Sequence, residues 1–213
     1  MTPSLWRMAL AGLATVGLSL AAAAQSRSCD ASLSTAAYNP NVSEDDAHLL
    51  CDLDWAADIR NQAHKIYGAR GDSMLEIIDT ASPSGAAYIY DITPDGPYLK
   101  LDARSVPQGK GPRCQLQAII PMDTASEVNA LLGSAADPSV PGYGPREDVT
   151  INADGSRSVR LVFRSHDIIT RAETAAGTRQ FSRHAGSDDP VSRLNNLVIG
   201  FANVSPGWVC KTS

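Results

Sequence analysis

The longest amphipathic pattern in the chain begins at Leu49. Leu49, Leu53, Ala56, Ile59, Ala63 and Ile66 recur at three- and four-residue spacings, which places them on one stripe of an α-helix. Ser43 precedes the stripe as a cap, with Asp46 three residues on in the capping-box position. Glu44 and Asp45 complement the positive end of the helix dipole. Lys65 sits in the last turn and Gly68 supplies the stop. The spacing predicts one long helix between Ser43 and Gly68.

After Ser73 the hydrophobic period shortens to two. Met74 to Thr80 and Ala86 to Ile92 read as strands separated by Ser82-Pro83-Ser84-Gly85, with Tyr88, Tyr90 and Ile92 on one face. Thr93-Pro94-Asp95-Gly96 predicts a turn, and Leu99 and Leu101 alternate with Lys100 and Asp102 in the returning strand. Arg104 to Arg113 reads as a basic loop leading into the strand CQLQAII, which Pro121 ends. Thr124-Ala125-Ser126-Glu127 has the form of a capping box for a short helix closed by Gly133.

The Pro- and Gly-rich stretch 134–146 predicts a surface loop. A hairpin turning at Asp154-Gly155 follows, then a strand at 168–173 and a polar loop at 174–189. Asp189-Pro190 is a helix start, although LVIGFANV suits helix or strand equally. Strands joined by short turns, rather than alternating with helices, predict an α+β fold. The expected layout is about six mostly antiparallel strands with one long N-terminal helix and one or two short helices. Residues 43–213 form a single domain.

The first 24 residues read differently. Arg7 precedes an uncharged apolar run, Met8 to Leu20, and Ala22-Ala23-Ala24 supplies small residues for a signal peptidase. The run is shorter than the ~20 apolar residues that span a bilayer. The expectation is a signal peptide over 1–24, cut before Gln25, and an irregular arm over 25–42. Arg27 stands where a lipidation signal would carry a small side chain, so Cys29 reads as an ordinary cysteine of an exported, unlipidated protein in the periplasm or beyond.

An oxidising destination turns the four cysteines, Cys29, Cys51, Cys114 and Cys210, into two expected disulfides. No C-x-x-C occurs, which argues against zinc and thioredoxin-type redox chemistry. Of the three possible pairings, Cys29–Cys51 with Cys114–Cys210 is favoured. The first would pin the arm to the long helix and the second the C-terminus to a strand. The net charge of -5 becomes one unit more negative once Arg7 is removed. A mildly acidic surface gives no electrostatic case for nucleic acid or anionic membranes.

Candidate chemistry is sparse. His48 and His64 lie too far apart on the helix to share a metal and read as exposed. His166 and Asp167 are neighbours on a strand and point to opposite faces, so they do not pair with each other. His184 lies near Asp188 and Asp189. No G-x-S-x-G elbow or glycine-rich phosphate loop occurs; GKGPR at 109–113 lacks that pattern, and no cofactor or metal is implied. Arg70-Gly71-Asp72 reads as a polar turn rather than an adhesion tripeptide. Tyr143, in PGYGP, is either a loop-tip aromatic that anchors a partner or a tyrosine packed back on the fold.

Ser84-Gly85-Ala86-Ala87-Tyr88 is similar to the S-G-x-x-Y loop of periplasmic lysozyme inhibitors. In that family the serine and the tyrosine enter the enzyme's cleft, and the resemblance implies an inhibitory loop here. It covers five residues, three of them specified. The expected function is a non-enzymatic binding module: an inhibitor, immunity or envelope-assembly partner. Ser84, Tyr88, Tyr143, His166 and His184 are its binding residues, and its partner is another envelope protein. The alternative is a secreted hydrolase of cell-wall sugar or peptide bonds, using the histidines and acids of 166–189.

Overall fold

The cap at Ser43 forms as its position anticipates, with the Asp46 N–H donating to Ser43 Oγ at 3.1 Å. Helix α1 runs Glu44–Tyr67 and ends at Gly68, whose φ of 84° returns its N–H to the His64 carbonyl at 2.9 Å. The structure, a computed structural model, describes residues 41–80, 85–107, 109, 111–144, 147–161 and 166–212. The expected leader, most of the arm, Cys29 and Ser84 lie outside these residues.

Among the described residues the fold is α+β. Nine strands follow α1 in chain order with two further helices: β1 Leu75–Asp79, β2 Ala86–Asp95, β3 Tyr98–Pro107, β4 Arg113–Ile120, α2 Met122–Ala135, β5 Glu147–Ile151, β6 Arg157–Leu161, β7 Asp167–Thr174, β8 Gly177–His184, α3 Pro190–Val204 and β9 Val209–Lys211. Seven strands form one antiparallel sheet in the order β8-β7-β1-β2-β3-β4-β9, and β5 and β6 pair separately.

Alternation along the strands feeds two cores. On one face Ala56, Ile59 and Ala63 of α1 pack on Ile78, Ala87, Ile89, Val106 and Ile169. The two alanines let the helix backbone approach the sheet closely, so a 24-residue helix needs only a narrow apolar stripe. On the other face Leu75, Ile77, Ile92, Leu101, Leu116 and Phe181 meet Val128 and Leu132 of α2 and Val191, Leu194 and Val198 of α3. The sheet is therefore a middle layer with helices on both sides. Among the described residues no helix is long and apolar enough to cross a membrane.

Four local expectations are corrected. The first turn falls two residues late: Pro94 pairs with Leu99 inside the ladder, and Gly96, at φ 60°, opens a two-residue hairpin. Residues 104–107 belong to β3, because Arg104 is buried against the carboxylates of Asp91 and Asp102 instead of lying in a basic loop. Helix α2 starts at Met122, without a side-chain cap at Pro121, and continues through Gly133 to Ala135.

The polar stretch 177–184 is a strand, the fourth correction. Its polar side chains find partners: the Arg179 guanidinium donates to the Ala135, Asp137 and Val140 carbonyls, and Arg183 to those of Pro141, Gly142 and Ser182. Both arginines lie over the Phe181 ring, with the guanidinium carbons 4.8 and 5.6 Å from its centroid. Farther on, Asp189 caps α3 as anticipated, accepting from the Val191 and Ser192 N–H groups, and LVIGFANV is entirely helical.

Candidate functional site

Cross-strand partners share a face of the sheet, so register alone brings distant residues into one row. Ile168 pairs with Asp79, Asp79 with Tyr88 and Tyr88 with Ser105. Cys114, whose N–H donates to Ser105 Oγ at 2.8 Å, is opposite Cys210 on the edge strand and disulfide-bonded to it. Cys51 is also disulfide-bonded.

This row floors a cleft of about 390 Å³ lined by Asp79, Tyr88, Tyr90, Ile199, Asn203, Trp208 and the Cys114–Cys210 pair. Trp208 closes it from the segment between α3 and β9, with its indole N–H donating to the Ala202 carbonyl at 2.9 Å. The Trp208 and Tyr88 rings are perpendicular, with centroids 6.0 Å apart, and Tyr90 stacks beside Tyr88 at 6.3 Å. Two walls of a corner are thus aromatic, and a carboxylate adjoins them.

Asp79 has a partner just before the neighbouring strand β7: His166 Nε2 lies 3.0 Å from its Oδ1. That contact raises the His166 pKa above its ordinary 6.5, against the opposing effect of partial burial. Burial, with the Asp79 charge adding to it, pushes the Tyr90 phenol far above its usual range. Tyr90 is therefore a neutral hydroxyl at any physiological pH.

His184 does not join this site. Its Nδ1 lies 3.1 Å from Asp167 Oδ1 on the α1 side of the sheet, and its Nε2 is buried without a hydrogen-bond partner among the described residues. The two histidines thus take separate carboxylates on opposite faces. Asp188 and Asp189 turn elsewhere: Asp189 holds Arg183 at 2.8 Å and caps α3, while Asp188 faces Arg193 at 3.6 Å. Among the described residues no group of three or more histidine, cysteine, aspartate or glutamate side chains could hold a metal ion.

Tyr143 is not an exposed anchor. It is 8% exposed, bridges to Ser182 and stacks on His48 with centroids 5.1 Å apart. His48 is accordingly half-buried, whereas His64 is exposed. Tyr88 projects from the β2 ladder into the cleft rather than from a protruding loop. Arg70 of the Arg-Gly-Asp turn forms an ion pair with Asp102.

Asp79, Asn203 and Trp208 were missed by reading the sequence. Asp79 ends an apolar strand, and its significance arises only from its pairing with Tyr88. The one local signal for Trp208 is its place two residues before Cys210, since a disulfide there must hold the segment against the sheet. No family model, curated protein or solved structure matches the chain.

Proposed function

We propose that the protein is an exported, non-enzymatic binding module of the bacterial envelope whose ligand seat is the Tyr88–Trp208 cleft. One observation carries the reading: two perpendicular aromatic rings and a carboxylate meet in a concave site. Binding pockets combine apolar walls with a few convergent polar groups in this way. Export rests on the signal-like leader and agrees with the Cys114–Cys210 disulfide, which persists in oxidising compartments. The occupant is either a small envelope component or a group projecting from another envelope protein.

The test is photocrosslinking in cells. A photoreactive residue at Asn203, on the exposed rim of the cleft, is compared with one at His64, on the exposed side of α1. Adducts specific to Asn203 support the reading. No adduct there, or equal adducts at both positions, ends it.

Hydrolysis keeps one observation in its favour, the 3.0 Å contact of His166 with Asp79, which suits an imidazole held as a general base. Cleavage of peptidoglycan or peptides that disappears in His166→Ala would replace binding by catalysis. The broader set of histidines and acids at 166–189 does not support it, because His166 and His184 face opposite sides of the sheet.

A further inference from the structure

We propose that the Tyr88–Trp208 cleft receives an organic cation, an alkylated ammonium head seated between the two rings and the Asp79 carboxylate. The inference rests on the cleft being a ligand seat and names the chemistry of what fills it.

Three features converge on positive charge. The faces of aromatic rings carry the negative part of their quadrupole, and a cation in an aromatic corner is attracted to them. Trp208 and Tyr88 form such a corner, at 90° and 6.0 Å, and Trp208 is held in place through its indole N–H. Tyr90, stacked on Tyr88, extends that wall and stays neutral.

The second feature is Asp79, whose side chain is only 11% exposed. A carboxylate this far from water is costly unless a positive group compensates it. His166 is its counter-ion among the described residues, and an imidazole gives up its charge as pH rises through its pKa, which Asp79 raises here. Among the described residues, no lysine or arginine lines the cleft. In the neutral-imidazole state the site holds one negative charge beside electron-rich rings. That field repels anions and favours a cation.

The third feature is contrast with the other acidic cluster of the sheet. Asp91 and Asp102 adjoin a second cleft, of about 310 Å³, but Arg104 and Arg70 already occupy their carboxylates. That cluster balances itself. The Asp79 cleft is balanced only while His166 is protonated.

Quaternary ammonium compounds and lysine side chains share this chemistry, so both are titrated against the full-length secreted protein. Choline and Nα-acetyl-lysinamide are followed by the NMR signal of the Trp208 indole N–H. The expected result is saturable binding of at least one of them, the tighter naming the source. It should weaken about tenfold or more in Asp79→Asn and in Tyr88→Leu, the effect of losing a strong desolvated contact. Both variants must keep the wild-type far-UV spectrum. Tyr88→Phe, which preserves the ring face, should bind within about twofold of wild type, well inside the tenfold per 1.4 kcal/mol scale.

The decisive control is 3,3-dimethylbutan-1-ol, the neutral carbon isostere of choline. Equal binding of alcohol and choline would show a merely apolar cleft and overturn the proposal. So would saturable binding of N-acetylglucosamine with no response to either cation. In that case Asn203 adducts would persist in cells, and the binding-module reading would survive without this inference. Absence of every ligand response together with absence of Asn203 adducts removes both.

Discussion

His166 Nε2 sits 3.0 Å from Asp79 Oδ1, and that contact fixes the sign of a pH effect on stability. The folded-state pKa of His166 is raised, chiefly by its contact with Asp79, above the ordinary value of 6.5. The protonated imidazole therefore favours the folded chain. Its contribution is complete below the ordinary pKa and is lost as pH rises through the raised folded value. Urea unfolding of wild type and His166→Gln should show the variant's deficit largest in mild acid and shrinking toward mild alkali. Taking the difference between the two proteins removes the other titrating groups. A deficit constant across that range would mean that the contact carries no charge.

Arg104 supports the opposite face of the same sheet. Its side chain is 4% exposed and meets Asp91 and Asp102, with Gln117 donating to Asp102 at 2.9 Å. Burial raises the Asp91 pKa, and Arg104 pulls it back. Removing the arginine would leave Asp91 buried without its cation and Asp102 with Arg70 alone. Arg104→Met should therefore cost about 3–5 kcal/mol in guanidinium unfolding, the usual penalty for breaking a buried pair. A smaller loss in the triple change Arg104→Met, Asp91→Leu, Asp102→Leu would show that the cost lies in the orphaned charges.

The elements of this fold were legible where a local rule governs them. Ser43, Gly68 and Asp189 act through their own backbone neighbours, and each does what its position in the sequence indicates. Strand β8 was hidden because the partners of Arg179 and Arg183 are carbonyls near residues 135–142, far away in sequence, so its polarity looked like that of a loop. The cleft was half legible. Tyr88 and Tyr90 share a face by simple alternation, but Asp79 and Trp208 reach them through pairing across strands and through the C-terminal disulfide. Tyr143 was undecided for the same reason: its burial against His48 depends on how the loop folds back over α1.

The Cys114–Cys210 bond should matter both for stability and for the cleft. It closes a loop with a sequence separation of 96 and tethers β9, a strand of three exposed residues. Loop-closure entropy puts its contribution at about 4–5 kcal/mol. The double change Cys114→Ser, Cys210→Ser should lower guanidinium stability by about that amount, less any strain the bond releases. Trp208 should report it separately. With β9 released, the indole leaves Tyr88, and its NMR signal broadens at denaturant concentrations where the far-UV signal is still native. Coincident loss of both signals would mean that β9 holds without the bond.

The loop at 136–144 gives the most stringent test, because Arg179 holds its first half and Arg183 its second. Arg183 is fully buried and donates to the Pro141 and Gly142 carbonyls at 2.8 and 3.0 Å and to Asp189 at 2.8 Å. Gly144 lies against its stem, and a Cβ there would stand 2.6 Å from Arg183 Cδ and 3.1 Å from Nε. Ordinarily a long side chain would swing aside, but this one is tied at its far end by the hydrogen bonds that define it. Gly144→Ala should therefore cost about 1–3 kcal/mol, as overpacking does. Arg183→Lys keeps the charge but loses the planar fork, and should cost about 2–3 kcal/mol. The two effects share one cause, so they should not add. A lysine freed from the carbonyls can move off the new methyl, and the double variant should be more stable than the sum of the single losses by over ~0.5 kcal/mol, the limit for independent sites. Additivity within that limit would show that Arg183 already moves freely, and that the loop is held by something other than its guanidinium.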